Sequence, residues 1–455
     1  MKKILLVLIG IVLMLVATYY GFYELNNKNV DAFFDKTIAS FSDSMSLREE
    51  SMAGKQQEAD VEQEEKFFNV YDNLEYDTYI LDPKYKVIKS TVQKEMNNHS
   101  VQGTILVGVD DDIVYAESFG KASKWDGINN TLMTRYGIAS LTKSFTATAI
   151  MKLYEEGKLD INDTIDKYFP DYIYGKDITI LQLMQMRSGI IDYLNDMENF
   201  ISVSDCKEIY DSFVENNDYK GLDEYPWSRD DMLRNIYNDE LKFTPDEKYS
   251  YSNTNYYMLG CIIEQVSGMK YDEYVAENIF KPCHMDNSSL KPLEGDAVSY
   301  MQSEGFVSSS YETLFSAGGI RSNVFDMFSW LRNLTKGNVV SSDTFYRMID
   351  TTKIAQKEQE RYEKEQEKLK QELGTEYEEP KVDPNKVPTY YACGLQVTGS
   401  KVWHAGYIDG FSNYMSTDLD TGITIIILTN SSDDRVTEDV PGLWKKIYNA
   451  ANSVK

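Results

Sequence analysis

Tyr136-Gly137-Ile138-Ala139-Ser140-Leu141-Thr142-Lys143 sets a serine three residues ahead of a lysine. It heads a run with helical spacing that continues to Glu156 and meets a stop signal at Gly157. Residues three apart on a helix share a face, so the Lys143 amine can reach the Ser140 hydroxyl. Serine is a weak nucleophile until a base takes its proton, and a lysine serves only if burial or a nearby charge lowers its pKa. At a helix N-terminus, unpaired backbone amides also favour developing negative charge. The pattern by itself is common. Ser118, Ser204, Ser267 and Ser288 have lysine at the same spacing, and Ser140 taken alone reads first as a helix N-cap.

Two further stretches change that weighting. Phe243-Thr244-Pro245-Asp246-Glu247-Lys248-Tyr249-Ser250-Tyr251-Ser252-Asn253 carries Tyr-x-Asn at its end, a triplet that Tyr71 and Tyr193 also begin. Trp403-His404-Ala405-Gly406-Tyr407 carries His-x-Gly, and of the three histidines only His404 has such a setting. Ala317-Gly318-Gly319-Ile320-Arg321-Ser322 with Asp326 and Trp330, Ile178 to Gly189, and Tyr271 to Met285 add flanking patterns. In this order, over about residues 80 to 450, the chain resembles the serine β-lactamase and penicillin-binding protein superfamily, in its class C β-lactamase branch.

The resemblance implies an α/β fold of the α+β type, β-lactamase/transpeptidase-like, with an antiparallel sheet built from both chain ends and an inserted helical domain. By carry-over, Ser140 attacks an acyl carbonyl and Lys143 takes, or helps take, its proton. Tyr251 is implied as general base and proton relay, provided Lys143 supports phenolate character; its plainer reading is a buried structural tyrosine. Asn253 is implied to bond Lys143 or a substrate amide. His404, Gly406 and Tyr407 would line the opposite wall, and the backbone N–H groups of Ser140 and Tyr407 would form an oxyanion hole worth roughly 3 kcal/mol per donor. His404 has the alternative reading of a sheet residue that only shapes the site. No metal and no organic cofactor is implied.

Three positions depart from the family pattern. His404 stands where true β-lactamases usually have lysine, and histidine is charged only near or below a pH of about 6.5. That weakens recognition of a substrate carboxylate and moves the expectation from β-lactams towards other amides, peptides and esters. Met186 and Arg187 replace the usual His-Thr, and Asp246 replaces the glycine after Pro245; these bear on packing more than on chemistry.

Strand patterns sit at both ends of this region. Gly103 to Val109 and Ile113 to Ala116 flank an aspartate turn and read as a hairpin, and Gly422 to Thr429 is a continuous apolar run near Tyr414-Met415-Ser416. Residues 191–242 and 353–386 read as insertions, the second as a solvated helix laced with Glu/Lys pairs. Residues 25–78 are polar and acidic and read as a stalk. Met1-Lys2-Lys3 followed by the apolar run Ile4 to Tyr20 reads as a cytoplasmic stub and transmembrane anchor over residues 1–24, with the remainder outside the cell. The rival is a cleaved signal peptide, for which Val16 to Tyr20 supplies few small residues. The expected partners are the membrane, through that helix, and a peptide, ester or amide substrate, cell-wall material by analogy only. A net charge of −27 argues against nucleic acid. Cys206, Cys261, Cys283 and Cys393 are widely spaced, which makes metal binding improbable, and Cys261 reads as a buried small hydrophobe. Oligomeric state is left open.

Overall fold

The computed structural model describes residues 78–80, 83–99, 101–195, 228–238, 240–301, 305–306, 311–374, 377–378, 380, 387–408, 410–432 and 434–455. The expected anchor, the stalk up to residue 77 and parts of both insertions lie outside these residues. Among the described residues no helix is long and apolar enough to cross a membrane.

The main sheet has eight strands: β1 (Thr78–Ile80), β2 (Gly103–Val109), β3 (Asp112–Phe119), β4 (Thr389–Tyr391), β5 (Gln396–Thr398), β6 (Lys401–Ile408), β7 (Phe411–Asp418) and β8 (Ile423–Thr429). Their order is β1-β3-β2-β8-β7-β6-β5-β4, with every pairing antiparallel. β8 runs beside β2 from Ile423 opposite Val109 to Thr429 opposite Gly103, so the two ends of the domain meet at the centre of the sheet. Every residue of β2 and β8 is buried, which explains why both read as continuous apolar runs rather than alternating ones. The sheet begins at Thr78, one residue inside the stretch read as stalk.

Helices cover both faces. On one face Ile88 and Val92 of α1 (Lys86–His99) and Ile447 and Ala451 of α6 (Asp434–Asn452) pack against Ile105, Val107, Ile425 and Ile427. Alternate residues point to the other face, where α4 (Val324–Thr335) lies so close that a Cβ on Gly108 would fall 2.3 Å from the Phe328 ring. Trp330 of the same helix stacks on Phe145 at 4.1 Å and donates Nε1–H to Ser144 Oγ at 3.0 Å. These contacts tie α2 (Thr142–Glu155), the helix after the Ser140 motif, to the sheet. It ends as the sequence indicates, with Gly157 in the left-handed region at φ 69°.

The first part of the second insertion forms a helix, α5 (Thr352–Leu373), with the expected pairs such as Arg361 to Glu365 at 2.7 Å. The helix is solvated over most of its length, as expected, while its first turns also dock on the fold. Glu358 accepts from Nη1 of the fully buried Arg187 at 2.6 Å, and Lys357 pairs with Asp246. The reason is tertiary: Arg187 lies 171 residues earlier in the chain and is invisible to a local reading.

Candidate active site

Ser140 lies in a short 3-10 turn, Ala139–Leu141, immediately ahead of α2 rather than inside it. The turn is entered through Ala139 at φ 50°, a left-handed conformation that costs an alanine about 1–2 kcal/mol. One turn on, the Lys143 side chain is fully buried. Its Nζ is 3.0 Å from Ser140 Oγ, 2.7 Å from Asn253 Oδ1 and 2.7 Å from the Ala317 carbonyl. All three partners are neutral, so no charge in direct contact offsets the loss of water. Burial therefore lowers the lysine pKa to about 7, while the more distant Asp192 carboxylate pulls the other way. A neutral amine has two protons and one lone pair. With the protons directed to Asn253 and Ala317, the lone pair is left for the Ser140 hydroxyl.

Tyr251 approaches the nucleophile from another side, donating its O–H to Ser140 Oγ at 2.8 Å. Burial raises the phenol pKa far above neutrality, which keeps its proton in place. Two residues on, Asn253 opens helix α3 (Asn253–Ser267), so the Tyr-x-Asn spacing sets a phenol and an amide on a loop-to-helix corner beside Lys143.

His404, Gly406 and Tyr407 lie on β6. β5 pairs with β6 only along Lys401 to Trp403, and the Ser140 turn packs beyond that point. A Cβ on Gly406 would fall 2.4 Å from the Ile138 carbonyl and 3.2 Å from the Ser140 nitrogen, so glycine is required by the close approach of strand and turn. Tyr407 is half exposed at the rim. His404 is buried. Its Nδ1 lies 2.5 Å from the Ala405 carbonyl and its Nε2 lies 3.0 Å from Tyr391 Oη. A carbonyl only accepts, so the ring proton sits on Nδ1 and Tyr391 donates to Nε2. Burial and the neighbouring Lys143 push the imidazole pKa down to about 3. His404 is thus neutral throughout the physiological range, further from charge than an ordinary histidine with its pKa of about 6.5.

Ser140, Tyr251, Asn253, His404 and Tyr407 all border one cleft of about 530 Å³, with Asn195, Leu194, Leu314, Gln396 and Ile408. No lysine, arginine, aspartate or glutamate lines it among the described residues. Nor do the described residues include a His, Cys, Asp or Glu group able to hold a metal.

Sequence reasoning missed three contributors. Asp192 is fully buried behind Asn253, Tyr391 holds His404, and the Ala317 carbonyl holds Lys143. Asp192 carried one signal, an acid directly after the apolar pair Ile190-Ile191.

The comparisons bear on the family and the fold. The Beta-lactamase family model matches residues 88–445. The chain belongs to that family. Among curated relatives, Protein flp of Staphylococcus aureus (strain COL) is 25% identical over 378 residues, covering 80% of this chain and 66% of the relative, just under two thirds of its length. Among solved structures, the D-amino acid amidase of Ochrobactrum anthropi SV3 superposes with a TM-score of 0.63 at 20% identity, over 82% of this chain and 99% of that one. The penicillin binding protein of Bacillus halodurans gives 0.59 at 22% identity, over 80% and 99%. The architecture is therefore the mixed α/β fold of the β-lactamase/transpeptidase-like serine hydrolases, with its large antiparallel sheet.

Proposed function

We propose that this chain is an extracytoplasmic serine hydrolase, held at the membrane by residues 1–24, that cleaves amides or esters of amino acids and peptides lacking a free carboxylate beside the scissile bond, through an acyl-enzyme. The observation that carries the reading is the buried Lys143 amine, pKa near 7, set 3.0 Å from Ser140 Oγ with only neutral partners. Neutral Lys143 takes the Ser140 proton as Oγ attacks the carbonyl. The oxyanion meets the backbone N–H groups of Ser140 and Tyr407. Tyr251, protonated in the resting site, passes its proton to the leaving nitrogen or oxygen, and the ammonium on Lys143 restores it. Water then repeats the sequence on the ester.

The substrate class follows from the cleft walls. With His404 neutral and no cationic side chain among the described lining residues, a free carboxylate beside the scissile bond finds no charged partner among them. Amides and esters without that carboxylate suit such a wall better than β-lactams. The similar fold of a D-amino acid amidase supports that direction.

The test is intact mass of the full-length chain after exposure to a fluorophosphonate, beside Ser140→Ala. One adduct on the parent and none on the variant is expected. A folded parent that takes no adduct would refute the reading in favour of a binding or sensing protein on this fold. Hydrolysis of amino-acid amides and esters faster than a chromogenic cephalosporin is then expected, and the reverse order would return the chain to the β-lactamases. Protease protection in intact cells, with loss of membrane retention on deleting residues 1–24, checks the location.

A further inference from the structure

Lys143 can act as a base only if Asn253 offers it an acceptor, and an asparagine side chain can be turned either way. The residue that settles its orientation lies behind it. Both Asp192 carboxylate oxygens face Asn253 Nδ2, at 3.1 and 3.0 Å. A carboxylate only accepts, so the amide must direct its NH₂ to Asp192 and its Oδ1 to Lys143. Asp192 is itself held in place, with Oδ1 accepting from the Leu194 N–H at 2.9 Å and Oδ2 from Asn195 Nδ2 at 2.6 Å. Asp192 is 1% exposed, and Leu194 and Asn195 border the substrate cleft. The geometry points to Asp192 as a positioning residue for the reaction: through Asn253 it fixes the acceptor that Lys143 needs, and it ties that acceptor to the cleft wall at Leu194 and Asn195.

The proposal rests on the reading of Lys143 as the base for Ser140. The groups facing Lys143 are few. The Tyr251 ring lies 4.9 Å away and the Tyr256 ring 5.8 Å away, both phenols protonated; His404 is neutral; among the described residues Asp192 is the charge that acts on it, through the intervening amide. Placing the carboxylate one residue removed keeps Lys143 free of a direct ion pair. Contact with the carboxylate would hold the amine protonated and idle at neutral pH.

Two variants of the full-length chain test this through the pH dependence of fluorophosphonate acylation. In the parent, acylation should fall as pH drops through about 7, as Lys143 takes a proton. Asp192→Asn removes one acceptor and the charge. It should acylate about 10-fold or more slowly, with its acidic limb moved to lower pH. The double variant Asp192→Asn, Asn253→Asp restores donor facing acceptor but sets the carboxylate directly on Lys143. Its acidic limb should move above the parent's. Opposite shifts in the two variants support the proposal. A single variant that folds and keeps the parent's rate or limb overturns it, and so does a double variant that fails to fold or whose limb does not rise. Failure of the parent itself to acylate is a different result and sinks the reading of Lys143 instead.

Discussion

Lys143 and Arg187 are both fully buried cations, and the fold uses them in opposite ways. Lys143 is surrounded by a hydroxyl, an amide oxygen and a backbone carbonyl, and the nearest carboxylate reaches it only through Asn253. Arg187 meets carboxylates directly. Its Nε donates to Asp246 Oδ1 at 2.8 Å, its Nη2 to the Asp246 carbonyl at 2.8 Å and its Nη1 to Glu358 at 2.6 Å. A guanidinium cannot shed its proton, so it must be matched with negative charge, whereas an ammonium left unmatched can become neutral. The same burial therefore makes one residue a base and the other a strut.

The largest expected effect lies at Lys143. Lys143→Met should slow fluorophosphonate acylation about 10³-fold, within the range of a lost general base. It should also change how stability depends on pH. Between about pH 7 and the ordinary lysine range, the unfolded chain holds a proton on this residue that the native state sheds. Stability of the parent therefore rises with pH across that window, and the methionine variant lacks this contribution. Melting temperatures from pH 6 to 10 check it. Parallel curves for the two proteins would mean that Lys143 is held charged, and the contrast with Arg187 would collapse.

At Arg187 the effect should fall on stability, not on acylation. Arg187→Met removes one cation from each of Asp246 and Glu358, which keep Lys357 and Arg361, and should cost about 3 kcal/mol, the low end for breaking a buried pair, since both carboxylates also keep some contact with water. Arg187→Lys should recover less than half of this, because a single ammonium cannot reproduce the three-way fork. Urea denaturation measures both. Acylation by the folded fraction should stay within about threefold. If it fell 100-fold with little loss of stability, Arg187 would be acting on the Tyr251 corner rather than on the docking of α5, and the division between base and strut would be wrong.

The two cations also differ in how legible they were. Lys143 was readable because its nucleophile lies three residues away on one helical turn, and Tyr251 and His404 were readable because each sits inside a short motif. The sheet was readable for a similar reason, since β2 and β8 are buried on both faces and show it as unbroken apolar runs. Arg187, Asp246 and Glu358 appeared as two unexplained departures and one charged surface helix. Only their meeting across the fold shows that they form a single unit. Asp246 sits at φ 71°, the backbone shape for which the family uses glycine, so the carboxylate is gained at some conformational cost. Asp192 and the Ala317 carbonyl were hidden likewise. What they do depends on which atom of Asn253 or Lys143 faces them, and no local pattern encodes that.

The smallest expected effect is at Ala139, where the question is whether the Ser140 turn is strained to serve the site. Alanine at φ 50° costs about 1–2 kcal/mol, while glycine adopts that shape freely but loses more entropy on folding, roughly 0.5–1 kcal/mol. The difference leaves Ala139→Gly more stable by about 0.5–1 kcal/mol. The gain should come with a cost to chemistry. A looser turn lets Ser140 Oγ wander from its 3.0 Å and 2.8 Å contacts with Lys143 and Tyr251, so acylation should slow a fewfold while the acidic limb stays at its parent position. An unmoved limb matters here, because it separates a nucleophile that has drifted from a base that has been retuned. A variant both more stable and equally fast would show that Ser140 is held by its hydrogen bonds alone, with the strained alanine contributing nothing to its aim.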